Sequence, residues 1–186
     1  MKVRYLARDL RRFRRCPHRR LYSALKKHFG QSLKRYRWVD DRDNQSRGVD
    51  LAVELKDGRI LLIELKQPQQ CPLHLAEVSL PLETWSSQES EARGILLKEG
   101  AKADYILWLY PTGASVLMAF RTLAAVFRRQ EARWKDRFHV HQCKNHGLYG
   151  KPYTSECVLV PYREIRRGMR RHLRRHGINY EPSIAE

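Results

Sequence analysis

Two charged side chains, Glu64 and Lys66, end an apolar run that otherwise has the pattern of a buried β-strand, with ILLI at positions 60–63. Successive side chains of a strand point to opposite faces, so Glu64 and Lys66 share one face at the end of this strand. The preceding strand is expected at 49–55 and has Asp50 at its start, and the Asp-Gly pair at 57–58 predicts a hairpin between it and the strand expected at 59–66. The hairpin brings Asp50 beside the end of the second strand, and the three charged groups are expected to converge.

Two carboxylates and an ammonium in one place suit hydrolysis assisted by a divalent cation. Asp50 and Glu64 supply the hard oxygen ligands that Mg²⁺, or Mn²⁺ in its place, prefers. Lys66 can orient or deprotonate an attacking water and offset the charge on an attacked phosphorus. The pattern therefore indicates metal-assisted hydrolysis of a phosphodiester. The alternative interpretation is structural: Glu64 and Lys66 form an ion pair at a strand end, and Asp50 caps a loop.

The composition indicates an ordered protein with a polyanionic partner. The chain has 186 residues, of which 42% are hydrophobic, which suits a single domain with a real core. Its formal charge is +17, which favours nucleic acid first and an anionic membrane surface second. We see no apolar run of the length of a membrane span and no apolar core of a secretory signal at the N-terminus. We expect an intracellular protein that is neither secreted nor embedded in a membrane, with reduced cysteines.

The positive charge is concentrated at the two ends of the chain. Residues 1–47 contain sixteen Lys or Arg, residues 163–175 contain seven Arg, and the stretch 49–91 between them is slightly acidic. This distribution suits a clamp on phosphates around a site where acids are wanted. The predicted nucleic-acid-binding residues are Arg11, Arg12, Arg15, Arg19, Arg20, Arg47, Arg167, Arg170, Arg171 and Arg174.

The remaining periodicities predict a mixed β-sheet packed between helices. Helices are expected at 3–15, from Pro17 to a stop at Gly30, at 87–99, at 121–135 and at 162–176; further strands are expected at 32–39, 103–110, 115–120, 137–143 and 156–160, and a loop at 40–48. The helix at 87–99 is predicted from a capping box formed by Ser86 and Glu89. We expect one domain over 1–186, with a core at about 17–120 and a C-terminal extension at about 121–180.

The stretch GVDLAVELKDGRILLIELKQP resembles the hairpin of the PD-(D/E)XK nuclease superfamily, and within it most resembles Holliday junction resolvases of the archaeal and phage type. The resemblance covers roughly residues 17–120 and is strong only at 46–68. It implies an α/β restriction-endonuclease-like fold, here with basic helical additions at both ends, Mg²⁺-dependent DNA cleavage and a role in DNA recombination or repair. It further implies that Asp50 and Glu64 bind the metal, that the Leu65 carbonyl assists, and that Lys66 serves the attacking water. Resolvases of this type act as homodimers, so the resemblance also implies a dimer.

The sequence departs from that family at two positions. Val49 stands before Asp50 where proline is frequent, and the acid that resolvases supply from the first helix has only Asp9 as a counterpart. Asp9 also fits a partner role for neighbouring arginines. Gln67 is a candidate contact to the substrate and Glu77 a candidate further ligand, although both also fit a solvated loop.

Cysteine and histidine offer a second, weaker metal hypothesis. The pairs Cys71-x-x-His74 and Cys143-x-x-His146 have the spacing of zinc ligands, but they lie far apart and lack the glycine-rich knuckle context, so we do not expect a structural zinc.

Three functions remain open at this point. The first is a Mg²⁺-dependent DNA endonuclease, structure-selective at branched DNA. The second is a sequence-specific homing or restriction-type endonuclease built on the same core. The third is a non-catalytic nucleic-acid-binding module whose acids and lysine form a strand-end ion pair.

Overall fold

A computed structural model describes residues 17–68, 78–87, 91–146, 152–178 and 184–185. Its helices are α1 (His18–Phe29), α2 (Arg42–Ser46), α3 (Phe120–Arg137) and α4 (Tyr162–Arg175), and a 3-10 turn spans Gly30–Ser32. Its strands are β1 (Leu33–Trp38), β2 (Leu51–Leu55), β3 (Ile60–Lys66), β4 (Ser79–Ser87), β5 (Ala92–Arg93), β6 (Tyr105–Leu109), β7 (Ser115–Ala119), β8 (Val140–His146), β9 (Pro152–Pro161) and β10 (Ile184–Ala185).

The strands form two sheets. Sheet A has the order β1-β2-β3-β6-β7-β10, and only β3 and β6 among its neighbouring strands run parallel. Sheet B has the order β5-β4-β9-β8 and is antiparallel throughout. The fold is therefore mixed α/β, as the sequence predicts, with helices on both sides of a mixed sheet.

One face of sheet A is covered by α1. The helix buries Leu21 and Leu25 against strand residues that include Ile63 and Leu65 of β3. Full burial of each such side chain contributes about 1.5–3 kcal/mol, so this layer alone fixes the alternation of β3. Because Ile63 and Leu65 face α1, Glu64 must point to the other side.

The other face of sheet A packs against α3, α4 and sheet B. Trp108 and Met118 of sheet A lie in one core with Phe127 of α3 and with Ile165 and Met169 of α4. The α3 and α4 helices approach closely at Gly168, where an added Cβ would lie 2.8 Å from a methyl group of Val126. The site predicted on β3 therefore shares its side of sheet A with the arginine-rich helix.

Several predicted elements are confirmed. The helix expected from Pro17 spans His18–Phe29 and is followed by Gly30, and the predicted hairpin has Leu51 opposite Ile63. The helix expected at 162–176 is α4, with Ile165, Met169 and Leu173 buried. The helix expected at 3–15 lies outside the described residues.

The helix predicted at 87–99 is wrong for the described part of that range, which is residue 87, the end of β4, and residues 91–99. Ala92–Arg93 instead pair with β4, and the Gly94 amide donates to the Thr84 carbonyl at 3.0 Å. Trp85 explains the preference, since the Arg93 guanidinium lies 4.4 Å from the centre of its ring. These contacts with β4 replace the helical hydrogen bonds that the local pattern favours.

The expected loop at 40–48 contains the short helix α2. The Asp41 side chain accepts a hydrogen bond from the Asn44 amide at 2.9 Å and so caps this helix. The described helices include none that is both long and apolar enough to cross a membrane.

Candidate active site at the end of the β2–β3 hairpin

Asp50 directly precedes β2, beside the C-terminal half of β3. Its amide donates to the Ile63 carbonyl at 2.9 Å, which is the last pairing position of the hairpin. Its carboxylate Oδ2 accepts from the Leu65 amide at 2.7 Å, in place of a backbone carbonyl. The sheet's own hydrogen-bond pattern thus fixes the Asp50 side chain at the end of β3.

Glu64 and Lys66 extend from β3 on the face opposite α1. Glu64 is buried, at 7% exposure, and its Oε1 lies 2.8 Å from the Lys66 Nζ. The negative charge of Glu64 acts on Asp50 strongly enough to shift its pKa, so the two carboxyls are neighbours. The structure therefore brings the three sequence-predicted side chains together.

The electrostatics of the three groups are unequal. Burial and the negative charge of Glu64 raise the pKa of Asp50 to about 7. Burial alone would lower the pKa of Lys66, but the charges of Glu64, Glu83 and Asp50 outweigh this and raise that pKa. Lys66 is therefore an ammonium at neutral pH, which favours orientation of water and charge stabilisation over proton abstraction.

The donor set fits a divalent cation. Asp50 and Glu64 are adjacent carboxylates that repel each other when both are ionised, and a hard cation relieves that repulsion while using their oxygens as ligands. Leu65 is fully buried, and its backbone amide donates to the Asp50 carboxylate, which ties it to the site. The assistance of its carbonyl to a metal stays a prediction. In the part of the chain that the structure describes, no group of three or more His, Cys, Asp or Glu side chains could hold a metal.

A groove of about 550 Å³ opens in front of Glu64 and Lys66. Its lining includes Gly48, Glu64, Lys66, Glu83, Arg93 and Lys98. Asp50 is not among the described lining residues and contributes from beside Glu64. The lining of the groove therefore combines acidic and basic side chains.

Gly48 shapes the base of this groove. It has a φ of 75°, and an added Cβ would lie 2.5 Å from Ile95 and 3.3 Å from Glu64 Oε2. A side chain at this position is strained by the backbone and blocked by Ile95. The glycine thus leaves room for the Glu64 carboxylate.

Glu83 is a site residue that the sequence analysis missed. It lies on β4, and its Oε2 is 3.9 Å from the Lys66 Nζ. The signal was present in the alternation of SLPLETWSS, in which Leu80, Leu82 and Thr84 are buried and Glu83 points the other way. The expected helix at 87–99 and Pro81 obscured it, because neither is typical of a strand inside a sheet.

The predicted basic contacts do not all lie on one side. Arg19 and Arg20 belong to α1, on the face of sheet A opposite Glu64 and Lys66. Arg47 lies next to Gly48 at the groove and is paired with Asp43 at 3.3 Å. Arg167, Arg170, Arg171 and Arg174 lie on α4, on the groove's side of the sheet.

Other candidates have less structural context. Gln67 directly follows β3 and is half-buried. The candidates Asp9, Arg11, Arg12, Arg15, Glu77, Cys71 and His74, and the side chains of Cys143 and His146, lie outside the described residues.

Comparison of the chain with known protein families, with curated proteins and with solved structures gives no match in any of the three. The chemistry of the groove's own residues therefore has to carry the functional proposal.

Proposed function

We propose that the protein is a Mg²⁺-dependent DNA endonuclease whose site is Asp50, Glu64 and Lys66. The observation that supports it is the pair of adjacent carboxyls with the Lys66 ammonium 2.8 Å from Glu64, at an open groove on a strongly basic chain. When both carboxyls are ionised their repulsion destabilises the fold, which is typical of groups that have a function. Binding of a cation and a phosphodiester is such a function.

Each residue has a distinct role in this proposal. Asp50 and Glu64 would hold the Mg²⁺, and Mn²⁺ would substitute for it. The metal, when bound, would supply Lewis-acid polarisation of the phosphodiester. Lys66, which stays protonated, orients the attacking water and offsets the negative charge that grows on the phosphorus oxygens. Arginines near the groove and on α4 bind flanking phosphates.

We propose branched DNA as the preferred substrate, on the resemblance to Holliday junction resolvases. The same resemblance suggests that a homodimer makes the cut. A sequence-specific homing or restriction-type enzyme is the related alternative. One departure concerns the fold: the described residues between β3 and β6 form β4 and β5, where the resembled nucleases have a helix.

The deciding experiment is incubation of the purified protein with labelled linear duplex, four-way junction and flap DNA, each with and without Mg²⁺. Cleavage that requires Mg²⁺ and is absent in Lys66→Ala supports the proposal. Faster cleavage of the junction than of the duplex supports structure selectivity, and cuts at one sequence in linear DNA support the restriction-type alternative.

A non-catalytic nucleic-acid-binding module is the second candidate, and the ion pairs of Lys66 favour it. Lys66 lies 2.8 Å from Glu64 and 3.9 Å from Glu83, which is also the arrangement expected of a structural charge cluster. Tight DNA binding without any metal-dependent nicking of supercoiled plasmid would establish this candidate instead.

A further inference from the structure

The arginine face of α4 is an exposed, one-signed surface. We use this name for Arg163, Arg166, Arg167, Arg170, Arg171, Arg174 and Arg175, which line an open groove of about 670 Å³. The one acid in α4, Glu164, is held by Arg167 at 3.0 Å and by Arg137 of α3 at 4.0 Å. The face therefore keeps a large excess of positive charge.

Helix α3, which packs against α4, carries further positive charge at Arg128 and Arg129. Arg129 is an exposed residue of α3, the helix that packs against α4 at Gly168. Arg128, the adjacent residue of α3, is exposed and donates to the Lys98 carbonyl at 3.3 Å. These two arginines were not predicted from the sequence as nucleic-acid contacts.

Lys98 completes the connection. It lines the groove in front of Glu64 and Lys66, and its Nζ donates to the Ser46 carbonyl at 2.6 Å. Exposed cations therefore lie on α4, on the neighbouring α3 and, at Lys98, in the lining of the groove.

We propose that one continuous segment of duplex DNA occupies both the arginine face of α4 and the groove, and that Arg129, Arg128 and Lys98 bind the phosphates between them. This inference rests on the proposed function for the groove and adds the path by which the duplex reaches it. A partner that follows such a path must present negative charge at regular intervals, as a nucleic-acid backbone does.

The length of the bound DNA distinguishes one continuous path from two independent binding surfaces. The fourteen residues of α4 span about 21 Å at 1.5 Å per residue. A duplex rises by about 3.4 Å per base pair, so roughly six base pairs cover the arginine face alone. A longer duplex is needed to reach Arg129, Arg128 and the groove.

The test measures DNA binding by fluorescence anisotropy in EDTA, so that cleavage does not interfere. The probes are a hairpin with a stem of six base pairs and a linear duplex of twenty. The variants are Arg128→Gln/Arg129→Gln, the single Arg129→Gln, and the control Lys56→Gln/Arg59→Gln, which removes two exposed cations at the turn of the β2–β3 hairpin, the end away from the site.

For the long duplex, we expect Arg128→Gln/Arg129→Gln to flatten the slope of log K against log salt by about two units, at about 0.9 per lost phosphate contact. Arg129→Gln, which leaves the Arg128–Lys98 contact intact, should flatten it by about one unit. The control should leave it unchanged, and the short stem should be insensitive to all three variants.

An effect of the control equal to that of the α3 variant, or no effect of the α3 variant on the long duplex, overturns the path. Tighter binding of an RNA duplex of the same length overturns its assignment to DNA. Cleavage by the wild-type protein in Mg²⁺ is scored separately. Its absence, with the length-dependent slope intact, refutes the nuclease and leaves the path standing.

Discussion

The corner formed by Asp50, Glu64 and Lys66 and the arginine face of α4 use charge in opposite ways. The corner has three groups, one buried and two half-buried, each fixed by a hydrogen bond or an ion pair of 2.7–2.8 Å. The arginine face has seven exposed or half-exposed cations on one helix. The function of the corner depends on the exact positions of its side chains, whereas the function of the arginine face depends on how many cations it presents. One substitution should therefore abolish the first and only weaken the second.

Lys66→Ala is the variant with the largest expected effect. It removes the one ammonium beside the two carboxylates, and we expect cleavage to fall by about 10²–10³-fold, as for loss of a charge-stabilising donor. DNA affinity and its salt slope should stay close to wild type, because many arginines share the phosphates. Cleavage is measured in single-turnover assays, with Lys56→Ala at the other end of the hairpin as the matched control. A wild-type rate for Lys66→Ala would remove Lys66 from the mechanism.

Asp50→Asn and Glu64→Gln should each weaken Mg²⁺ binding by at least about 10–100-fold. Loss of a residue that only hydrogen-bonds to a metal ligand already has an effect of this size. Isothermal titration calorimetry measures the affinity, and Mn²⁺ should partly restore cleavage. Asp57→Asn, an exposed acid in the hairpin turn, is the control. Equal Mg²⁺ affinity in the wild type and both variants would show that the corner holds no metal.

The arginine face should respond gradually. Replacement of Arg167, Arg170, Arg171 and Arg174 by Gln leaves the buried Ile165, Met169 and Leu173 untouched, so the fold should survive. We expect the salt slope for duplex DNA to flatten by two to four units, roughly one per lost contact, and all sequences to be weakened alike. Anisotropy titrations from low to high salt measure this. An unchanged slope would move the DNA path to the arginines at 4–20.

The last prediction concerns how the stability of the metal-free protein depends on pH. The pKa of Asp50 is raised from 3.8 to about 7, so between these pH values the folded metal-free protein keeps a proton that the unfolded chain releases. The free energy of unfolding should therefore fall as pH rises through this window. Asp50→Asn should remove this contribution and Asp57→Asn should retain it, as measured by urea denaturation in EDTA. Parallel curves for wild type and Asp50→Asn would contradict it.

The corner could be predicted from the sequence because its information is local. Strand alternation and one Asp-Gly turn are enough to place Asp50 beside Glu64 and Lys66, and the observed register of Leu51 opposite Ile63 agrees. The α4 helix was predictable for the same reason, from the spacing of its apolar side chains.

Strand β4, which carries Glu83, was not predictable from the sequence, because the segments that hold it in place are distant in the chain. β4 is held by β9, and Thr84 and Glu156, which join them through a 2.6 Å hydrogen bond, lie 72 residues apart. The segment after β4 fits a helix in isolation, and only the contact of Arg93 with Trp85 and the pairing to β4 decide against it. Glu83 and the path over Arg128 were missed for this reason.

The pairing of β4 with β9 also sets the order in which the protein can assemble during synthesis. The β2–β3 hairpin joins neighbouring segments and can form as soon as residue 66 leaves the ribosome, whereas long-range strand pairing must wait for its partner. Glu83 is held in place only once β9 has been made and has docked between β4 and β8. A nascent chain would therefore carry its paired carboxylates long before it has a groove, so the proposed cleavage would have to wait until the C-terminal half has folded.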